Sequence, residues 1–393
     1  VRGSKPAGAI PRRVALPTHF HPRAQGINHV FRRGKSVVGL DLGSQVVKAV
    51  EITLEGPEPV ITGFARVEIP PGGDKAAAVA ELFKRGRFRS KHVVTSVAGQ
   101  SVVVRYVQMP KMSEQELKQA IRIEADRYVP FELDDVVLDC QPLKRSSQRS
   151  NDGESAKESG DNMTVLLVAC RQPLVDEQLK LLHGQNLTPI AIDVDVFALA
   201  NAWELCGLPE DALDEPLTEK SAEEKASGDE RAIALVDIGA SRTSINVLCN
   251  GETCFSREIG IGGHDMTQAV ARKLGLEVFE AEAIKRAGED KEADVARAIQ
   301  PVLEDLVNEI SLSLDYVENH EGVRVEEVLL SGGGVLAPGA VTYVEQATGR
   351  TARTWNPLEG LRVADDRVDV EELEAWAPSL VVAVGLASRV RAA

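Results

Sequence analysis

The sequence predicts an α/β protein made of two similar halves, with a β-α-β-β-α-β module set into the first. Three observations carry this. Hydrophobic residues make up 43% of the chain but aromatics only 4%, so the core is mostly Val, Leu, Ala and Ile, the make-up of sheets covered by helices. A strand, an acid-bearing turn and a returning strand occur twice, at residues 37–52 (VVGLDLGSQVVKAVEI) and 232–248 (AIALVDIGASRTSINVL), which an internal duplication explains. Beyond Ser101 the order strand, helix, strand, strand, helix, strand fills about ninety residues. At 393 residues the chain is long enough for two or three domains.

The elements follow in order. Apolar runs at Val37–Leu40 and Val46–Ile52 predict a hairpin, with a third strand near Pro59–Val67, a helix over Lys75–Lys84 and a strand at His92–Ala98. The module then offers a strand (Val102–Met109), a helix (Ser113–Val129), strands at Val136–Pro142 and Met163–Cys170, a helix (Leu174–Asn186) and a strand (Pro189–Val194). Its first helix is well marked: Ser113 with Glu116 forms a capping box, Met112 with Leu117 a hydrophobic staple, and Pro130 stops it. Leu117, Ala120, Ile121 and Tyr128 recur at helical spacing, with Glu124 on the same stripe, either at its wet edge or facing a basic group of a partner. Residues 146–162 are polar throughout and read as a hairpin loop, and Pro209–Arg231 as an acidic linker. The second half adds strands at Ala232–Val236 and Thr243–Leu248, a Gly-rich turn (Gly260–Gly263) and helices over Asp265–Leu274, Glu280–Arg286 and about Val295–Val317. A strand (Val325–Leu330) then leads into SGGGVLAPG, and an apolar helix spans Ala377–Val390.

Charge and cysteine usage exclude several functions. The net charge is −15, yet residues 1–35 carry eight Lys or Arg and no acid, so the body is more acidic than the whole and a poor nucleic-acid binder. Those 35 residues, rich in Pro, read as a disordered basic tail, either a solvated extension or an arm for anionic lipid or an acidic partner. No run reaches a membrane span and no secretory signal is visible, so a cytoplasmic protein is expected. Cys140, Cys170, Cys206, Cys249 and Cys254 are scattered, mostly in apolar stretches, and read as reduced core residues.

Paired D-x-G turns have a physical use: backbone N–H groups of two hairpins can grip a polyphosphate from opposite sides. Asp41 and Asp237 would then hold the water shell of a Mg²⁺ ion, Ser44, Ser241 and Thr243 would add hydroxyls, and Lys48 could reach back as a point charge. Ser331 to Gly334 close a strand and let a base or phosphate approach bare backbone. Gly332–Ala337 also fits the dinucleotide fingerprint G-x-G-x-x-A, but Pro338 and Gly339 stand where its long helix should run. No His or Cys cluster has metal-ligand spacing, and Gly239–Thr243 lacks the last glycine of G-x-S-x-G.

The spacing D-x-G-S-x-x-x-K at Asp41–Lys48, D-x-G-x-x-x-T at Asp237–Thr243 and SGGG at 331–334 resembles the actin-fold ATPases over nearly all of residues 36–392. The module's KMSEQELKQAIRIEADRYVPFELDDVVLDCQ (111–141), with IDVDVFALANAWE (192–204) and NPLEGLRV (356–363), resembles the PilM-type assembly proteins of type IV pili, relatives of FtsA. The resemblance implies two ribonuclease-H-like lobes around ATP and Mg²⁺: lobe I from 36–100, 191–231 and 373–393, the module at 101–190, and lobe II at 232–372. It implies that Asp41, Gly43, Ser44 and Lys48 form the first phosphate loop and Asp237, Gly239, Ala240, Ser241 and Thr243 the second. Gly332, Gly333 and Gly334 would form the adenosine loop, and Glu282 with Lys285 would face the ribose and base, unless the two are a plain i,i+3 surface contact. Asp195 stands where relatives orient the attacking water, or else caps the helix beginning at Val196.

The same resemblance implies a cytoplasmic ATP-binding scaffold of the pilus machine, with slow hydrolysis at most. Its expected partner is the N-terminal cytoplasmic tail of the membrane protein PilN, held in a groove walled in part by Leu117, Ile121, Glu124 and Tyr128. Other inner-membrane and motor components of the pilus would read that state. Alternatives are an FtsA-like division protein, a small-molecule kinase or a filament former. FtsA ends in a membrane-binding amphipathic helix, whereas this chain stops at Ala-Ser-Arg-Val-Arg-Ala-Ala, so contact with the membrane is expected only through the partner.

Overall fold

Alternation of side chains along the first strands sends apolar residues to both faces of one sheet, so both faces must be covered. The computed structural model describes residues 35–143, 162–206, 232–287 and 291–391; the basic tail up to residue 34, most of the polar stretch after the module's second strand, and the acidic linker lie outside them. β1 (Ser36–Leu42), β2 (Val46–Glu55) and β3 (Glu58–Glu68) form an antiparallel meander, followed by α1 (Lys75–Gly86) and β4 (His92–Val97), which runs parallel to β1. α1 starts where the Asp74 carboxylate accepts the Ala76 N–H, and it covers one face of the sheet with Ala78, Val79 and Leu82 against Val38, Leu40 and Val47.

The module follows as β5 (Val102–Pro110), α2 (Glu114–Glu124), β6 (Val136–Pro142), β7 (Asn162–Arg171) and α3 (Gln172–Gly184), with the three strands ordered β5-β7-β6. Both arms of the Ser113–Glu116 capping box are present. α2 stops earlier than its sequence pattern suggests: residues Ala125–Arg127 tighten into a 3₁₀ turn ahead of Pro130, whose ring disfavours helix before it. The strand expected to close the module, β8 (Thr188–Val194), instead pairs parallel with β4 and completes the lobe I sheet. The module is therefore β-α-β-β with a helix leading back. Sequence order was legible, but strand partnership depends on a non-local pairing with residues near position 94.

α4 (Asp195–Cys206) comes next and is apolar nearly all round, as a helix buried on every side must be. Lobe II contains β9 (Ala232–Ile238), β10 (Thr243–Cys249), β11 (Glu252–Ile259), α5 (Gly263–Leu274), α6 (Val278–Ala287), α7 (Glu292–Glu321), β12 (Val325–Ser331), α8 (Ala340–Thr348) and β13 (Thr351–Thr354). Its sheet has the order β11-β10-β9-β12-β13. Ala234 and Val236 face the core formed with α5 and α7, while Leu235 faces the other way. The chain then returns: β14 (Arg362–Val363) adds parallel to β3, so residues expected in lobe II reach the lobe I sheet. α9 (Val370–Ala375), a 3₁₀ turn at Ala377–Leu380, α10 (Val381–Ala387) and a last 3₁₀ turn at Ser388–Arg391 complete the described chain, so the apolar helix expected over Ala377–Val390 is a short α-helix between two 3₁₀ turns.

α4 and α10 lie between the two sheets, in a core shared by Val37 and Val50 of lobe I and Leu235, Leu248 and Leu329 of lobe II. They cross backbone to backbone at Gly385, where an added Cβ would lie 1.8 Å from the Ala198 carbonyl oxygen. Gly385→Ala should therefore destabilise the protein by roughly 1–3 kcal/mol through overpacking, whereas Gly184→Ala, which would meet nothing within 4 Å, should be neutral or slightly stabilising. Urea unfolding of the two variants distinguishes these outcomes.

Candidate functional site

The two D-x-G turns meet at the inner ends of the two lobes, and the register of the first hairpin brings a base to its acid. Asp41 and Lys48 are directly opposed across β1 and β2, and the ammonium lies 2.7 Å from Asp41 Oδ2. It also donates to the Ser379 carbonyl at 2.8 Å. Burial alone would lower the Lys48 pKa, but the charges of Asp41, Asp237 and Asp195 outweigh burial and hold it above the ordinary value. In the second hairpin the opposed pair is Asp237 and Ser244, so lobe II has no lysine at the equivalent place. Asp237 is held instead by the Ser331 hydroxyl, which donates to Oδ1 at 2.9 Å. Burial raises the Asp237 pKa against the opposing pull of Lys48 and Ser331.

Three glycine turns converge beside these acids. Gly239, Gly262 and Gly263 are packed so closely that a Cβ on Gly262 would lie 2.7 Å from the Ala240 oxygen and 2.8 Å from the Gly239 oxygen. The Gly263 N–H donates to the Gly239 carbonyl and the His264 N–H to that of Ala240. Gly332 takes φ +90, and a Cβ there would strike Ile238 backbone at 2.3 Å, whereas one on Gly333 would meet nothing within 4 Å. The Gly332 N–H is fixed by the Pro378 carbonyl. Bare backbone from three segments thus lines one place, and a second base, Lys285, sits against it, donating to the Gly263 carbonyl at 2.9 Å and to Thr267 at 2.8 Å.

The predicted site residues divide accordingly. Asp41, Lys48 and Asp237 are brought together, with Asp195 close enough to act on all three electrostatically. Gly43 and Ser44 form the first turn, and Gly239, Ala240 and Ser241 the second. Thr243 departs from its expected part: it is fully buried and its hydroxyl donates to the Ile261 carbonyl, so it braces the Gly-rich turn and offers nothing to a ligand. Gly332, Gly333 and Gly334 lie by Ile238 and Gly263. Glu282 and Lys285 do make an i,i+3 ion pair at 2.8 Å, but it is no surface contact, since the lysine side chain is 7% exposed. Burial, only partly offset by Glu282, lowers the Lys285 pKa.

Leu117 and Ile121 also depart from expectation. At 2% and 3% exposure they pack in the module's own core with Val103, Val107 and Val165, so they cannot wall an open groove. Glu124 is half-buried and accepts a hydrogen bond from Arg127 on its own segment at 2.9 Å, beside the half-buried Tyr128 and the exposed Ile123. Sequence reasoning named Ser331 only as part of the glycine turn and not for its bond to Asp237, and it missed Gln45, His264 and the Ser379 carbonyl, whose parts come from contacts between distant segments.

Among the described residues no group of three or more His, Cys, Asp or Glu could hold a metal directly. A site limited to Asp41 and Asp237 suits an ion that keeps much of its water, as Mg²⁺ does. The donor set, with two lysines and converging backbone turns, suits an anionic phosphate compound. Cys140 and Cys170 are pushed up to about 11 and Cys206 to about 12 by burial, so these thiols stay protonated.

Comparisons place this geometry among known proteins. The family model for the type IV pilus assembly protein PilM matches residues 39–391. A solved PilM-PilN type IV pilus biogenesis complex is 30% identical with a TM-score of 0.73, covering 90% of this chain and 98% of that one. The ethanolamine utilization protein EutJ of Escherichia coli K12 is 31% identical over 107 residues, which are 27% of this chain and 34% of that protein. For EutJ of Salmonella typhimurium the figures are 26% over 187 residues, 46% of this chain and 61% of that protein. The chain thus spans only part of these curated relatives. The fold is the two-lobed, actin-like ATPase fold. No helix among the described residues is long and apolar enough to cross a membrane.

Asp195, at the start of α4, is pushed up to about 7, chiefly by burial and next by the charge of Asp41, against a hydrogen bond from Ser96. Because the folded value lies above the unfolded one, the folded state binds the extra proton between roughly pH 4 and 7, and stability falls as pH rises through that window. Asp195→Asn removes the buried charge. Its melting temperature should exceed that of the unmodified chain by about 3 °C or more at pH 8 and match it near pH 4, as read by calorimetry.

Proposed function

Since the chain belongs to the PilM family of type IV pilus assembly proteins, we propose that it is a nucleotide-binding scaffold of the pilus assembly machine. The observation that carries this reading is the convergence of the two D-x-G turns, the Gly260–Gly263 turn and Gly332–Gly334 on one place with Lys48 and Lys285. ATP is the proposed ligand. Residues 43–45 and 240–242 would take its phosphates by backbone N–H, Lys48 would balance their charge, and Asp41 and Asp237 would order the water around Mg²⁺. Mg²⁺, when bound, supplies charge neutralisation of the phosphates. Glu282 and Lys285 lie where the nucleoside end would be.

Hydrolysis, in this reading, is slow. Asp195 is pushed up to about 7, which suits a group that orients or deprotonates water. The proposed partner is the N-terminal cytoplasmic tail of PilN, held between the module and the adjacent lobe, with Glu124 and Tyr128 at the groove's rim. The similar solved complex contains PilN, which supports that partner. Attachment to the inner membrane would then run through PilN, leaving the chain itself on the cytoplasmic face. Closing of the lobes on nucleotide would be passed to the groove through α4 and β8, since the module returns to lobe I through them.

Calorimetric titration of ATP·Mg²⁺ and of a PilN tail peptide, into the unmodified chain and into Asp41→Asn, Asp237→Asn, tests the reading. Nucleotide affinity should fall more than about tenfold and peptide affinity by a few-fold. Unchanged nucleotide affinity in a folded double variant sinks the site. Loss of nucleotide with unchanged peptide affinity leaves a static scaffold and removes the coupling.

A further inference from the structure

A run of alternating charges crosses from one lobe to the other at the nucleoside end of the cleft. It begins at Lys285, against the glycine turn, whose ammonium lies 2.8 Å from Glu282 Oε2. The other carboxylate oxygen of Glu282 accepts from Arg286 Nε at 2.6 Å. Arg286 Nη1 then donates across the cleft to Glu68 Oε1, also at 2.6 Å. Glu68 ends β3 in lobe I, and the same oxygen accepts from Arg66 Nη2 at 2.9 Å. The Arg66 guanidinium stacks on Trp376 at 3.7 Å from the ring centroid, with Arg286 at 5.9 Å from the same ring. Trp376 opens the segment whose next residues, Pro378 and Ser379, hold Gly332 and Lys48 by their carbonyls.

We propose that Glu68, Arg286 and Glu282 form a latch that ties occupation of the nucleoside end of the cleft to the closing of the two lobes. Glu282 is shared: one oxygen serves the lysine on the cleft floor and the other serves the arginine that reaches the opposite lobe. A ligand that engages Lys285 or the Glu282 carboxylate changes how strongly Glu282 holds Arg286. Arg286 in turn divides its contacts between Glu282 and Glu68. The Glu68 carboxyl is held below its usual range, first by the hydrogen bond from Arg286, so it stays charged and ready to pair.

A second tie closes the phosphate end. Gln45, in the first D-x-G turn, and His264, in the first turn of α5, meet at 2.9 Å between amide and Nδ1. The two ties, one at each end, enclose the glycine-lined space. Each is partly exposed and weak by itself. That is what a reversible closure needs, since tight ties would resist opening and a ligand could not shift them.

This rests on the nucleotide-binding reading, and the test separates the two. Release of a fluorescent N-methylanthraniloyl ATP is followed by stopped flow from the full chain, from Glu68→Gln, from Arg286→Gln and from the double variant. Melting temperature controls for folding. Release should quicken about fivefold in each single variant, with association changed less than about twofold, and the double variant should match the singles because both remove one tie. Release that is unchanged in both single variants, or effects that multiply in the double variant, overturns the latch while leaving nucleotide binding intact. Failure of the unmodified chain to bind the analogue overturns both.

Discussion

The close crossing of α4 and α10 governs the rest of the molecule. Gly385 allows the two backbones to touch, and that contact fixes the distance between the sheets that pack on either side. Each of these helices also begins at the cleft. α4 opens with Asp195, and the turn leading into α10 presents the Ser379 carbonyl to Lys48. A shift in the crossing would therefore move a carboxylate and a hydrogen-bond acceptor together, at the point where the two D-x-G turns face each other. Packing in the core and charge in the cleft are one construction.

The electrostatics of the cleft follow from that placement. Asp41, Asp195 and Asp237 share one nearby ammonium, that of Lys48, and burial makes their mutual repulsion costly. Burial and these neighbouring charges push Asp195 up to about 7 and raise Asp237 as well. A cleft crowded with carboxylates attracts a divalent cation and accepts phosphate only together with it, which is the expected behaviour of a magnesium-nucleotide site. The glycine turns contribute bare backbone rather than charge, so the two kinds of recognition are physically separate.

Much of this was legible in the sequence because it is local or repeated. The two hairpins announced themselves by continuous apolar runs around Asp41 and Asp237, and Ser113 with Glu116 marked the start of α2 by capping chemistry alone. That Lys48 could reach back to the turn was readable, but its pairing with Asp41 comes from the hairpin register. What stayed hidden depends on contacts between distant residues. β8 has the composition of a module strand, and only its pairing with β4 puts it in lobe I. β11 is an edge strand with a mixed pattern of exposure, so its sequence lacks clean alternation. Thr243 sits at a motif position, yet its hydroxyl was claimed by Ile261. Leu117 and Ile121 looked like an exposed stripe until the three-stranded sheet beneath them supplied a core. Glu68 and Arg286 belong to opposite lobes, and nothing near either residue signals the other.

Backbone turns from both lobes are proposed to bind one nucleotide between them. Hydrogen–deuterium exchange with and without ATP·Mg²⁺ tests it most directly, because it reads each turn separately. Amides in residues 43–46, 239–243, 260–264 and 332–334 should gain protection together on adding nucleotide, with the module's β5 to β7 changing less. Protection confined to one lobe, or no change in any of these turns at saturating nucleotide, would contradict it.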